Sequence, residues 1–313
     1  MSVEKKYTNE DLKAMQEWSL ERKIQVTQTR IIEWYEKWNG KVYVSFSGGK
    51  DSTVLLDLVR RIYPDVQAVF IDTGLEYPEI RDFVKTIDNV IWVKPKMNFK
   101  QVLFKYGYPV ISKEQSSFIH EYRNTNSDKL KDIRWNGNKW GRGKIHEKWK
   151  FMIDAPFLIG DQCCDVMKKN PAKKFEKESG LHPIIGTMAE ESAQRRSHWL
   201  TYGCNSFNKV RPTSQPMSFW TEQDILNYLK KFNIKYSCVY GDIIEEDGQY
   251  KMSKCQRTGC VFCAYGAHKE KEPNRFQKLK VTHPKLWDYC MRPISDGGLG
   301  MREVLEYINI KIE

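Results

Sequence analysis

The sequence predicts an α/β fold: a doubly wound, mostly parallel sheet with an N-terminal helical extension and a Cys-rich C-terminal region. Three observations predict it. Short apolar segments at 41–46 (KVYVSF), 66–71 (VQAVFI) and 90–93 alternate with amphipathic segments at 52–61 and 78–87, which is the strand–helix alternation of a parallel sheet. A glycine-containing turn joins the first strand to the first of those helices. The alternation then returns, with a helix near 165–179, a strand at 182–186 and a helix at 221–232 opened by a Thr-x-x-Asp box.

Before the first strand, residues 8–39 read as helix, broken at most once. Thr8 with Asp11 three residues on forms a capping box. Leu12, Met15 and Trp18, then Ile24, Ile31, Trp34 and Trp38, recur at near-helical spacing until Asn39-Gly40 ends the segment. Residues 121–155 interrupt the pattern with little periodicity; 121–150 carries nine Lys/Arg against four Asp/Glu, with Trp135, Trp140 and Trp149 nearby. Residues 236–275 are rich in Cys, Gly and charge and read as loops, and 301–308 reads as a final helix. The expected division is 1–40 as the helical extension, 41–235 as a nucleotide-binding α/β domain with the basic insert, and 236–313 as the Cys-rich region.

The 313 residues are 40% hydrophobic, enough for a packed core, and carry a net charge of +11. Such a balance points to a polyanionic partner, nucleic acid ahead of an acidic protein, or only to a soluble basic surface. The start lacks the apolar core of a signal peptide. No run of about 18 apolar residues predicts a membrane span. The expectation is a cytoplasmic protein, whose eight cysteines need an explanation other than structural disulfides.

The turn at 47–52 reads SGGKDS. Glycines let the backbone bend and approach a phosphate closely. Backbone N–H groups and the positive end of the following helix then face the anion. Lys50 and the hydroxyls of Ser47 and Ser52 add donors. The spacing is not that of a Walker loop. A strand before and a helix after are what an anion site needs, so the turn reads as a pyrophosphate loop.

Three further segments follow in order: Phe70-Ile71-Asp72-Thr73-Gly74 with Tyr77-Pro78-Glu79; Gly186 to Ser192 (GTMAEES) with Arg195; and Pro216, Trp220 and Asp224 as P-x-x-x-W-x-x-x-D. Together with the loop they resemble the PP-loop ATP pyrophosphatase superfamily, and its phosphoadenosine phosphosulfate reductase-like branch above all, over most of residues 25–290. The resemblance implies a Rossmann-like fold. It also implies nucleotide contacts from Ser45, Ser47, Gly48, Gly49, Lys50, Asp51, Ser52, Asp72, Thr73, Gly74, Gly186, Glu191 and Arg195. ATP is then the expected nucleotide and Mg2+ its counter-cation, reached by Asp51 or Asp72; a capping role for Asp51 is an equal alternative. Asp51 and Lys50 are the expected catalytic groups, joined by the thiol of Cys255.

Cys163-Cys164 and Cys260-x2-Cys263 supply four thiols from two separated segments, a set that can close a tetrahedral metal or iron–sulfur site. This layout resembles the [4Fe–4S] site of assimilatory adenylylsulfate reductases and related nucleic-acid thiolating proteins. A Zn2+ site and unligated or redox-active cysteines are the alternatives. Cys255 with Cys260, Cys263 and His268 could hold zinc without the first pair, or Cys255 could be a catalytic thiol. Cys204, Cys238 and Cys290 have no partner at motif spacing and are expected to be buried small hydrophobes.

Sulfonucleotide reductases resemble this chain but attack with a cysteine in a Glu-Cys-Gly context near the C-terminus, where this sequence reads MREVLEYINIKIE. Met188 also stands where those enzymes place an arginine, and an apolar side chain cannot clamp a sulfate. The expected activity is therefore ATP-dependent adenylation of a substrate for sulfur transfer, with tRNA or DNA as acceptor and a cysteine desulfurase as sulfur donor. Tryptophans in the basic insert either stack unpaired bases or pack on the domain. The alternatives are a reductase of adenylylsulfate or phosphoadenylylsulfate, and a non-catalytic nucleotide- or DNA-binding subunit of a larger (defence) assembly. An oligomer is compatible with all three.

Overall fold

The computed structural model describes residues 5–313. The chain forms two compact units that interleave in sequence: one holds residues up to 72, 76–94 and 171–258, the other 73–75, 95–170 and 259–313. The expected boundaries after residues 40 and 235 fall inside the first unit, so the helical extension belongs with the sheet.

In chain order the strands are β1 (Val42–Ser45), β2 (Ala68–Ile71), β3 (Val90–Val93), β4 (Val110–Ile111), β5 (His182–Ile185), β6 (Asn205–Ser206), β7 (Thr213–Ser214), β8 (Ile243–Glu246), β9 (Gln249–Met252) and β10 (Ala264–Tyr265). Among the described residues, the first unit carries a six-stranded sheet of order β3-β2-β1-β5-β7-β6. All pairs are parallel except β6 with β7. The strand order reverses beside β1, between β2 and β5, and the carboxyl ends of strands at such a switch point are where open α/β sheets bind ligands.

Val42, Tyr43 and Val44 of β1 are buried, as are eight residues of the helix Lys50–Arg60 that follows it. The expected break in the N-terminal helix lies between Asn9–Gln16, closed by the Thr8–Asp11 capping box, and Leu20–Lys37, capped by Ser19. The longer helix buries Ile31 and Trp34 completely. It is held by the P-x-x-x-W-x-x-x-D residues. The Thr27 hydroxyl donates to the Pro216 carbonyl at 3.3 Å and accepts from Trp220 Nε1 at 2.9 Å. Lys23 Nζ, 2% exposed, pairs with Asp224 Oδ2 at 2.6 Å.

Burial holds the His182 and His198 imidazoles below their ordinary 6.5, and His182 also lies under Trp38 with ring centroids 3.5 Å apart. A depressed histidine contributes stability above its unfolded pKa and loses it as pH falls towards its folded pKa. The melting temperature is therefore expected to drop on acidification from about pH 7.5 to about pH 5. His182→Phe, which keeps the stack, should flatten part of that slope in thermal unfolding followed by circular dichroism; an unchanged slope would remove His182 from the account.

The second unit is mainly helical, with Phe99–Tyr106, Lys113–Asn124, Arg275–Thr282, Pro284–Met291 and Met301–Tyr307, and a parallel β4–β10 pair. The stretch 121–155 is not irregular as expected: it contains the helix Asp128–Asn136 and a helical turn at Glu147–Asp154. Asp128–Asn136 buries no residue, so it leaves no apolar period to read. Its Ser127 cap, the 2.5 Å Arg134–Glu121 ion pair and Arg134 packed over Phe118 hold it instead. In the first unit, part of the expected loop at 236–275 is the hairpin β8–β9, turned at Asp247 and Gly248 in left-handed conformations, an Asp-Gly hairpin signal. Among the described residues no helix is long and apolar enough to cross a membrane.

Candidate functional site

The loop at 47–52 leaves the carboxyl end of β1, just beyond Ser45, and enters the helix Lys50–Arg60. Gly48 has φ 71°, and a Cβ there would stand 2.7 Å from Val84 and 2.8 Å from Ile80, so only glycine fits. Much of the loop is tied to itself. Ser52 Oγ accepts from the Ser47 N–H at 3.2 Å and donates to the Gly49 carbonyl at 2.9 Å. Ser47 Oγ accepts from the Gly49 N–H at 3.3 Å, and Thr53 Oγ1 donates to the Gly49 carbonyl at 3.0 Å. The turn is thus set before any ligand arrives, which lowers the entropy cost of binding.

Lys50 is placed differently from the expectation of an outward donor. Its ammonium, 2% exposed, lies 2.9 Å from Asp51 Oδ1 and 3.4 Å from Glu222 Oε1. Burial pulls its pKa down, and the two carboxylates outweigh that and raise it. Lys50 therefore ties the loop to the start of the helix Glu222–Lys231. Glu190 accepts the Glu222 N–H at 2.6 Å, and burial raises its pKa. Glu191 accepts the Met188 N–H at 2.8 Å and pairs with Arg195. Met188 itself is 2% exposed and packs in the core. Gly186 follows β5, and a Cβ there would sit 3.3 Å from the Asp51 carbonyl.

Asp72 follows β2. It is 6% exposed and accepts from Arg81 Nη2 at 2.9 Å through Oδ2. Its Oδ1 is buried with no hydrogen-bond partner among the described residues, as is the Thr187 hydroxyl after β5. Such orphaned polar atoms are costly unless a ligand or water satisfies them, and both belong to the carboxyl edge of the sheet. Thr73 and Gly74 fall in the second unit; Thr73 Oγ1 accepts the Leu75 N–H at 3.1 Å and Gly74 takes φ 72°.

Three residues that sequence reading missed complete the loop's surroundings. The Lys50 N–H donates to Tyr240 Oη at 3.2 Å, and Tyr240 Oη lies 2.6 Å from Thr258 Oγ1. Arg257 precedes that threonine and is exposed. Nothing at a separation of about 190 residues signals such a contact. Cys255, half-buried in this unit, donates its thiol to the Arg257 carbonyl at 3.0 Å.

The second unit holds Cys163, Cys164, Cys260 and Cys263. Cys163 and Cys164 precede a π-helical turn, Asp165–Lys169. The Cys260–Cys263 turn is closed by the Cys263 N–H to the Cys260 carbonyl at 3.1 Å, and Arg275 Nη1 donates to the Cys263 carbonyl at 2.9 Å. Burial, then Cys260, Cys164 and Cys263, push the Cys163 thiol up. Burial and the neighbouring Cys260 push Cys263 up to about 11. The charges of these thiols thus act on one another, and a cation among them would reverse the shift. Among the described residues no group of three or more His, Cys, Asp or Glu converges on a single-ion site. Cys204 and Cys290 are buried as expected; Cys238 is exposed instead, because its short helical turn buries only Val239 and Tyr240.

A cavity of about 360 Å3, lined by Tyr35, Val42, Tyr63, Val66 and Leu181 among others, lies at the amino ends of β1 and β2, the sheet edge opposite the loop.

The sequence matches the model of the phosphoadenosine phosphosulfate reductase domain over residues 41–126 and 113–265. An uncharacterized protein of Methanocaldococcus jannaschii is 26% identical over 285 residues, covering 88% of this chain and 53% of the relative. A second one from that organism is also 26% identical, with 81% and 41% covered; the chain thus spans about half the length of these two. The adenosine 5'-phosphosulfate reductase of Staphylococcus haemolyticus is 23% identical over 211 residues, 67% of this chain and 70% of that one. Among solved structures, the phosphoadenylyl-sulfate reductase of Candida auris aligns with 77% of this chain and 97% of its own at 16% identity and TM-score 0.40. The U34-tRNA thiolase NcsA of Methanococcus maripaludis, solved with its [4Fe-4S] cluster, aligns with 94% and 83% at 15% identity and TM-score 0.35. Neither structural likeness bears on chemistry.

Proposed function

The chain belongs to the phosphoadenosine phosphosulfate reductase domain family, and on that premise we propose that it is an ATP-using member that adenylates a substrate for sulfur transfer. The observation that carries the reading is the pretied loop at the β1–β5 switch point, with Asp51 and Arg195 beside it. The helix N-terminus and the loop amides other than those of Ser47, Gly49 and Lys50, which already donate internally, hold the phosphates. Asp51 would hold Mg2+, which would offset the phosphate charge, and Lys50, 2.9 Å from Asp51 Oδ1, keeps that carboxylate oriented. An oxygen of the acceptor attacks the α-phosphorus, the bond to the β-phosphate oxygen breaks, and pyrophosphate leaves. Sulfur then displaces AMP from the adenylated carbon. The loop's contribution is positioning and charge stabilisation.

Cys163, Cys164, Cys260 and Cys263 are the ligand set for a [4Fe–4S] cluster in this reading, which would offer an iron-bound position for the transferred sulfur. A cluster seats its thiolates on separate irons, and these four thiols come from two segments of one unit. The acceptor is a nucleic acid, tRNA or DNA. Trp140, 69% exposed with Lys139 over its ring at 4.3 Å, and Trp135, with Lys150 at 4.2 Å, offer stacking faces beside cations. Trp149 is buried and packs instead. The sulfur donor in this reading is a cysteine desulfurase, whose persulfide sulfur a thiol reductant brings to the sulfide level, itself becoming a disulfide, for the displacement of AMP.

The test is pyrophosphate release from ATP by anaerobically purified protein, with and without tRNA or DNA. Wild type is expected to release pyrophosphate in a nucleic-acid-stimulated manner. Asp51→Ala is expected to lose binding and release by more than about hundredfold while keeping its circular dichroism spectrum; unchanged ATP affinity in that variant would refute the loop assignment. The adenosine 5'-phosphosulfate reductases among the relatives favour one rival, and sulfite release from a sulfonucleotide with thioredoxin would establish it in place of the ATP reading.

A further inference from the structure

The ammonium that the loop sequence offers a phosphate is not on its open side. Lys50 is enclosed by Asp51 and Glu222. A polyphosphate bound at this loop therefore needs its cationic contacts from elsewhere in the same unit. Two arginines meet that need. Arg195 opens the helix Ala193–Tyr202 and is partly engaged by Glu191. Arg257 comes from the segment preceding Gly259; two contacts tie that segment to the loop and a third closes it on itself. Thr258 Oγ1 meets Tyr240 Oη at 2.6 Å, Tyr240 Oη receives the Lys50 N–H at 3.2 Å, and the Cys255 thiol closes the turn on the Arg257 carbonyl at 3.0 Å. A Cβ placed on Gly49 would lie 3.1 Å from Tyr240 Oη and 3.4 Å from Thr258 Oγ1. The residue after Arg257 thus touches the loop glycine itself.

We infer that Arg257 is a second phosphate-contacting residue of the loop site, held beside Gly49 by Thr258 and acting with Arg195. The inference rests on the nucleotide-binding reading of the loop and adds to it a residue outside the recognised motifs. Arg257 is exposed, and the Glu190 carboxylate is near enough for the two charges to act on each other. Burial and the charge of Arg257 hold the Arg195 guanidinium down, while Asp51 opposes them. The two like charges repel each other even with Glu191, Asp51 and Glu190 nearby, and an anion between them relieves that repulsion. A guanidinium offers a forked contact that suits phosphate oxygens, and the contact is worth more with each added negative charge. Arg257 therefore favours ligands with a polyphosphate tail over a nucleoside monophosphate.

Calorimetric titration of Mg2+ with ATP, AMP and inorganic pyrophosphate into the full chain, at fixed salt, tests this. Arg257→Ala is expected to weaken ATP and pyrophosphate about ten- to hundredfold and AMP by less than about threefold. Arg257→Lys should recover part of the loss, since it restores charge without the fork. Wild-type affinity for ATP in Arg257→Ala, or an equal loss for AMP and ATP, overturns the inference. If wild type binds neither ATP nor pyrophosphate, the nucleotide reading falls with it; if wild type binds both and the variant is unchanged, only the role of Arg257 falls.

Discussion

Lys23→Met is expected to cost the protein about 3–5 kcal/mol of stability, the range for breaking one partner out of a buried ion pair. The Lys23 side chain is 2% exposed; its ammonium meets Asp224 Oδ2 at 2.6 Å and the Gln16 carbonyl at 2.7 Å. Methionine fills the stem's volume but leaves the carboxylate without its cation. Asp224 keeps the Thr221 N–H and hydroxyl, at 2.7 and 2.8 Å, which sets the loss inside the range rather than above it. Adding Asp224→Asn should return part of the stability, because the uncompensated charge is then gone. Urea unfolding of the wild type and the two variants measures both effects. A single-variant loss under about 1 kcal/mol would show that the pair is solvated in solution.

That pair also shows what the sequence could and could not deliver. P-x-x-x-W-x-x-x-D was legible as a pattern, yet its job was not. Pro216, Trp220 and Asp224 grip Thr27 and Lys23, nearly two hundred residues upstream, and no local signal reports such a distance. Elements with strong periodicity or caps were readable: Thr8 with Asp11, Thr221 with Asp224, and the apolar runs of β1, β2 and β3. Asp128–Asn136 was not, because a helix that buries nothing has no period. The helices Phe99–Tyr106 and Ala193–Tyr202 were also passed over. In the loop, the glycines and their need for close approach were legible. The direction of the Lys50 side chain was not, since it depends on Glu222. The same holds for Tyr240 and Thr258, whose hydroxyls border the loop only through the fold.

Gly160→Ala is the other substitution expected to have a large effect, about 3 kcal/mol or more on the second unit, with loss of metal loading. A Cβ on Gly160 would stand 1.8 Å from the Tyr106 carbonyl oxygen, a separation that only backbone movement can relieve. The backbone there is pinned: Tyr108 N–H donates to the Leu158 carbonyl at 2.8 Å and Gly160 N–H to the Tyr108 carbonyl at 3.2 Å. Tyr265, next but one after Cys263, reaches the Gly160 carbonyl at 3.5 Å. Gly160 stands three residues before Cys163, so a shift forced at 160 moves the cysteine pair relative to the Cys260–Cys263 turn. Gly141→Ala is the matched control. It has φ 70° with nothing within 4 Å of the added carbon, so it should cost only about 1 kcal/mol of backbone strain and leave loading intact. Iron and sulfide per chain after anaerobic reconstitution, read beside thermal unfolding, separate the cases. On the cluster reading, Cys260→Ser should lose iron because it removes a proposed ligand, whereas Gly160→Ala should lose it with all four thiols present. Full iron content in Gly160→Ala would mean that the pair tolerates the displacement, and would break the link drawn between this glycine and the cysteines.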